Sequence, residues 1–175
     1  MVSVKGVNVT IAEVLLEPFD IEVAMTRRIL GVIPEDNPSF SPHEKSMPLG
    51  RLAMHIATLP ALGSLILTTS ELDAATAKFP SLTFVSRGRA LSEFDTRAAD
   101  VRALLASASD ADLQQLWKFR VGDFMFSNST RSCSFQHMVL GHLIHHRAQL
   151  GVYLRLLNLP VPGMYGPSAD DKLGS

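Results

Sequence analysis

The sequence predicts an all-α fold: a four-helix bundle with short extra helices and a small hairpin before the last long helix. Three observations carry this. Four segments repeat their apolar residues at helical spacing. Capping or proline signals stand at or near their starts. One short stretch, Trp117 to Asn128, changes to a period of two. At 175 residues the chain fits a single domain spanning 1–175 with room for a real core.

Taken in order, Thr10 followed by Glu13 reads as a capping box that opens a helix near Ile11. Pro18 interrupts this helix or restarts it in a first turn, and the main part runs to about Ile33 before Pro34. "PEDNPSFSPH" is a proline-rich loop. Ser46 before Pro48 starts a second helix. Its stripe is Leu49, Leu52, Ile56, Leu59, Leu62 and Ile66, with a bend at Pro60. "SELD", Ser70 to Asp73, opens a short helical turn, and "FPSLTFVSRGR" is irregular. Ser92 with Asp95 caps a third long helix carrying Phe94, Ala98, Val101, Leu104 and Leu105. Ser109 with Asp112 caps a short helix that ends near Trp117. The hairpin turns on the Gly122-Asp123 pair. The last long helix runs from about Phe135 to Asn158, and "LPVPGMYGPSADD" is an irregular tail.

The last helix carries the residues that bear on function. "GHLIHHRAQLGVYLRLL" holds three histidines and an arginine within six residues of a helix that should bury one face. With His142 at zero on a helical wheel, Val139, Leu143, Leu150 and Leu157 fall at roughly 60°, 100°, 80° and 60°. His146 falls at roughly 40°, inside this stripe, and His145 at roughly 300°, on its flank. On the second helix His55 shares its face with Leu52, Leu59, Leu62 and Ile66. Three imidazoles are therefore aimed into the core from two helices. A buried neutral imidazole needs a partner for each ring nitrogen. Converging on one divalent ion would satisfy all three and leave a coordination position open. Hydrogen bonding to one another and to the backbone is the competing reading.

The other polar residues read more plainly. His43 is a loop residue, and His137 lies off the stripe in the first turn of the last helix. His145, Arg147 and Gln149 flank the stripe, as supports for the inward histidines or as bonds to neighbouring helices or the tail. Cys133, the single cysteine, reads as a small buried or half-buried thiol. Several motifs are absent. Leu143 follows His142, so no HExxH supplies a glutamate base; there is no Glu-x-x-His, CxxCH, GxGxxG or P-loop. No residue is singled out as catalytic.

Composition excludes broad classes. Hydrophobic residues make up 46% and charged residues 19%, which suits an ordinary globule. A formal net charge of -1 gives no general pull toward nucleic acid or an anionic membrane. One cysteine and no apolar leader suit a cytoplasmic setting, and no uninterrupted apolar run of membrane-spanning length is present.

These residues resemble a known family. "GHLIHHRAQLGVYLRLLNLPVPGMYGPS" is similar to the C-terminal signature of DinB-like proteins (the DinB/YfiT-like group of metalloenzymes). "PHEKSMPLGRLAMHIATLP" resembles the family's second helix, with its histidine at His55, and "LLEPFDIEVAMTRRILGVIPED" its opening helix. The resemblance covers essentially the whole chain. It implies an up-down-down-up bundle and a divalent metal, zinc or nickel, held by His55, His142 and His146. It also implies a homodimer. Ala148 stands where the family often has glycine, a change expected to alter packing rather than ligation. Some relatives of this bundle are thiol-dependent S-transferases or isomerases. The resemblance therefore implies a metal-dependent enzyme that activates a low-molecular-weight thiol or water; the alternative is a non-catalytic metal-binding or stress-response protein.

Overall fold

The structure, a computed structural model, describes residues 9–172. Helix α1 (Ile11–Leu30) begins at the expected capping box: Thr10 Oγ1 accepts from Glu13 N at 3.2 Å, and Glu13 Oε2 accepts from Thr10 N at 2.8 Å. Pro18 does not break it. The carbonyl that loses its donor belongs to Val14, and both Val14 and Pro18 lie on the exposed face, where water replaces the bond.

Helices α2 (Leu49–Thr58) and α3 (Pro60–Thr68) follow one another through Leu59, itself helical. Pro60 takes the first position of α3, where a missing donor costs nothing. Ser46 is not the cap expected of it. Pro48 holds that position, and the proline loop supplies the partners: Phe40 O accepts from Leu49 N, and Pro38 O from Gly50 N, both at 2.8 Å. The continuous stretch Leu49–Thr68 is, at 20 residues, long and apolar enough to cross a membrane. Some 67% of it is buried inside the bundle, as a core helix requires.

Two further expectations are corrected. Glu71–Asp73 is not a helical turn but a strand, β1. Helix α4 (Arg87–Ser107) starts six residues earlier than the Ser92 signal, at Ser86, whose side chain accepts from Arg89 N. Ala90 is fully buried, so the apolar stripe begins before Ser92. Asp95 spends its carboxylate on Arg27 of α1 instead of on a cap.

Helix α5 (Asp110–Gln114) has the expected Ser109–Asp112 box. The predicted hairpin is β2 (Leu116–Val121) and β3 (Phe124–Thr130), turning at Gly122 with φ +58°. Strand β1 adds in parallel to β2, Leu72 opposite Phe119. The fold is therefore not purely all-α: a three-stranded sheet, ordered β1-β2-β3, packs against α3 and α6. Trp117 anchors it, fully buried and donating to Thr69 Oγ1 at 3.2 Å.

The final helix is composite: α6 (Arg131–Phe135), a π-helical segment (Gln136–Gly141) and α7 (His142–Leu156). Contacts along the helices give their directions. Arg27 meets Asp95 while Asp20 meets Arg102, so α1 and α4 are antiparallel. Tyr153 donates to Met47 O while His142 meets His55, so α2 and α7 are antiparallel. Phe19 packs on Phe135 and Glu22 pairs with Arg147, so α1 runs parallel to the last helix. Gly63 lies against Val101, where an added Cβ would come within 3.0 Å of its Cγ1; Gly50 lies against Phe84, before α4. These contacts make α2–α3 parallel to α4. The four long helices are thus ordered up-down-down-up, around Phe19, Phe94, Phe135, Leu52 and Ile56.

Candidate metal centre

The antiparallel packing of α2 on α7 brings His55 opposite His142 and His146. Ring centroids are 5.1 Å apart for His55–His142, 4.5 Å for His55–His146 and 4.7 Å for His142–His146. One nitrogen from each ring lies within 4.8 Å of the others. The Nε2 atoms of His55 and His142 are 3.3 Å apart. His146 is buried, at 8% exposure, while His55 and His142 are half-buried.

Burial sets their charge. It is the largest cause in each case. His55 is pushed down to about 4, with further contributions from His146, His142 and Arg51. His142 is also pushed down to about 4, by burial and then His146, against the Met138 carbonyl, which favours its charged form. His146 is lowered by burial, against a hydrogen bond to Gln149. At neutral pH the cluster is therefore three neutral imidazoles.

Neutral imidazoles carry one lone pair each. With the Gln149 amide oxygen as partner at 2.7 Å, His146 Nδ1 bears the proton and Nε2 is left as the acceptor. A proton shared between His55 and His142 would satisfy one lone pair of that pair and none on His146. The set lacks donors for itself, and a cation is what it can hold. Zinc–nitrogen bonds of about 2.0–2.1 Å in a tetrahedron place nitrogens about 3.3 Å apart, which the His55–His142 pair already shows. The donor set fits a divalent ion.

The π-helical segment stops at Gly141, directly before the first of these histidines. Such segments arise where a helix takes in an extra residue and are frequent at functional sites. The wheel used on the sequence assumed a uniform turn and did not foresee it.

The remaining histidines sit outside. His145 is exposed, its ring 4.8 Å from that of His146. His43 lies in its loop and accepts from Lys45 N. His137 is exposed, 4.0 Å from Cys133 Sγ, and Cys133 is half-buried.

Of the two roles expected of it, Arg147 takes the bonds to a neighbouring helix and the tail: it is 2% exposed and points away from the histidines toward α1. It pairs with Glu22 Oε2 at 2.5 Å and donates to Glu22 O and Thr26 Oγ1, both at 3.2 Å, and to Tyr165 Oη at 2.6 Å. Tyr165 in turn donates to Glu22 Oε1 at 2.8 Å, fastening the tail to the bundle. Glu22, Thr26 and Tyr165 escaped the reading of the sequence. A signal existed: Leu15, Phe19, Glu22, Thr26 and Ile29 form one helical stripe with a carboxylate inside it. Ala148 is exposed and lines a groove of about 370 Å³ under the tail, on the far side of α7 from the histidines.

The DinB family model matches residues 8–172. The chain belongs to the DinB family. Among curated proteins, YrdA of Bacillus subtilis (strain 168) is 28% identical over 156 residues, 89% of each chain. A DinB-like protein from Bacillus cereus superposes with a TM-score of 0.64 at 26% identity, covering 86% of this chain and 95% of that one. YfiT from B. subtilis also superposes with a TM-score of 0.64, at 13% identity over 91% of this chain and 95% of its own. YfiT is described as a probable metal-dependent hydrolase with an unusual four-helix bundle topology. In this DinB-family chain the histidine cluster lies between the second and last long helices of that bundle.

Proposed function

We propose that this chain is a metal-dependent enzyme in which His55, His142 and His146 hold one divalent ion, zinc or nickel, and present a small nucleophile, a low-molecular-weight thiol ahead of water. The observation that carries the reading is the convergence of three ring nitrogens, of which one hydrogen bond between His55 and His142 can satisfy only part. The description of YfiT as metal-dependent supports it by analogy. A divalent ion bound there would stabilise the anion of a thiol or water and lower its pKa toward neutrality.

The chain's own residues do the rest. Burial keeps His55 and His142 neutral, so their lone pairs stay available. Gln149 holds the His146 proton on Nδ1 and turns Nε2 inward. Among the described residues, no carboxylate is a cause of the shifts on the three rings. A thiol is the easier of the two to ionise there, since it starts from a pKa of about 8.5 where bulk water starts from about 15.7.

The test is elemental analysis of purified protein, then loading with zinc, nickel or manganese and assay with glutathione, bacillithiol or mycothiol against an activated aryl chloride. The expected result is about one ion per chain, lost in His146→Ala, and turnover with one metal–thiol pair. An unchanged metal content in His146→Ala overturns the ligand set. Metal without turnover by any pair leaves a non-catalytic metal-binding protein.

A further inference from the structure

Among the described residues, the permanently charged group that acts on the three rings is Arg51, which acts on His55. Arg51 stands four residues before His55 on α2, so the two share a face as neighbours one turn apart. It is exposed, and among the described residues it makes no ion pair. Arg27, Arg102 and Arg155 are also exposed yet spent on Asp95, Asp20 and Asp170; Arg28 and Arg87 are likewise without an ion pair but lie on α1 and α4, so Arg51 is distinguished by standing one turn from His55. A divalent ion held by three neutral imidazoles would keep its full charge, and among the described residues no carboxylate acts on the three rings. The anionic partner has to arrive with the substrate.

We infer that Arg51 is the substrate-docking residue of this site and receives a carboxylate of a small acid whose reacting group lies at the histidine cluster. This rests on the metal-site reading above. The guanidinium fork matches a carboxylate in two parallel hydrogen bonds, which an ammonium cannot do. The backbone positions of Arg51 and His55 lie four residues, about 6 Å, apart along the axis of α2.

The test uses full-length protein loaded with cobalt(II), titrated with 3-mercaptopropionate and with its neutral methyl ester, and followed by the cobalt absorption spectrum. In Arg51→Gln the acid should bind about tenfold more weakly or worse, with the ester changed less than about twofold. Arg51→Lys should recover part of the loss, and added salt should weaken the acid alone in the parent protein. Equal effects on acid and ester, or none on either, overturn the role of Arg51 and leave the metal site standing. A parent protein that takes up no cobalt removes both readings, and that failure shows before any thiol is added. Because Arg51 is exposed, an unchanged melting temperature in both variants confirms that the comparison is between folded proteins.

Discussion

His146 and Arg147 are consecutive on α7, and each belongs to a buried polar cluster. On one side of the helix, Arg147 meets Glu22, Thr26 and Tyr165, a cation, a carboxylate, a hydroxyl and a phenol. Nearly every donor there has an acceptor. On the other side His146 meets His55 and His142, three groups of one kind, all offering lone pairs. The first cluster balances its own charges and holds the tail and α1 to the last helix. The second is completed only by something added. Burial of polar groups marks both places; the match of donors to acceptors separates architecture from a site.

The contrast can be broken most sharply at Glu22. Glu22→Ala leaves a buried guanidinium without its partner and should cost about 3–5 kcal/mol of stability, read by chemical denaturation. Metal content of the folded fraction should stay the same. If the ion is lost as well, the two clusters are not independent.

His142→Ala should do the reverse. Metal content should fall by more than about a hundredfold in apparent affinity, since its loss exceeds that of a supporting partner. Stability of the metal-free protein should hold or rise, because a desolvated ring is removed. A large loss of stability without metal would recast the histidines as core hydrogen-bonding residues.

Acid should act on the histidine side. Unfolded histidines take up protons near 6.5, whereas His55 and His142 do so only at about 4 in the fold. Between those values the unfolded chain binds more protons. Stability of the metal-free protein is therefore complete above about 6.5 and falls as the pH drops toward about 4. Thermal melts across this window should show the decline, and His142→Ala should flatten it. The smaller effects come from supporting groups. Gln149→Leu frees the His146 ring and should weaken metal binding about 10–100-fold, measured by competition with a chelator. Tyr165→Phe removes one hydroxyl from the other cluster and should cost about 1 kcal/mol with no change in metal affinity.

Local signals were read correctly where local chemistry decided the outcome. The Thr10–Glu13 and Ser109–Asp112 boxes close within four residues, so no distant group competes for them. Ser92 failed as a cap because the buried face of the helix reaches back to Ala90, and Ser86 caps it six residues earlier. "SELD" failed as a helical turn because the edge of β2 offered hydrogen bonds from residues far along the chain. The wheel placed Arg147 on a flank because it assumed one buried stripe. In the bundle α7 packs against both α1 and α2, so its buried arc is wider than the stripe.

The sequence alone determined the helices, the hairpin and the inward faces of His55, His142 and His146, since side-chain period is a property of the chain itself. It carried the family resemblance as well, along essentially its whole length. Tertiary structure decided that those faces meet, that a third strand joins the hairpin and that Glu22 answers Arg147. Each of these depends on the direction and register in which separate helices and strands pack. No local spacing encodes the distance between residues that lie more than eighty positions apart.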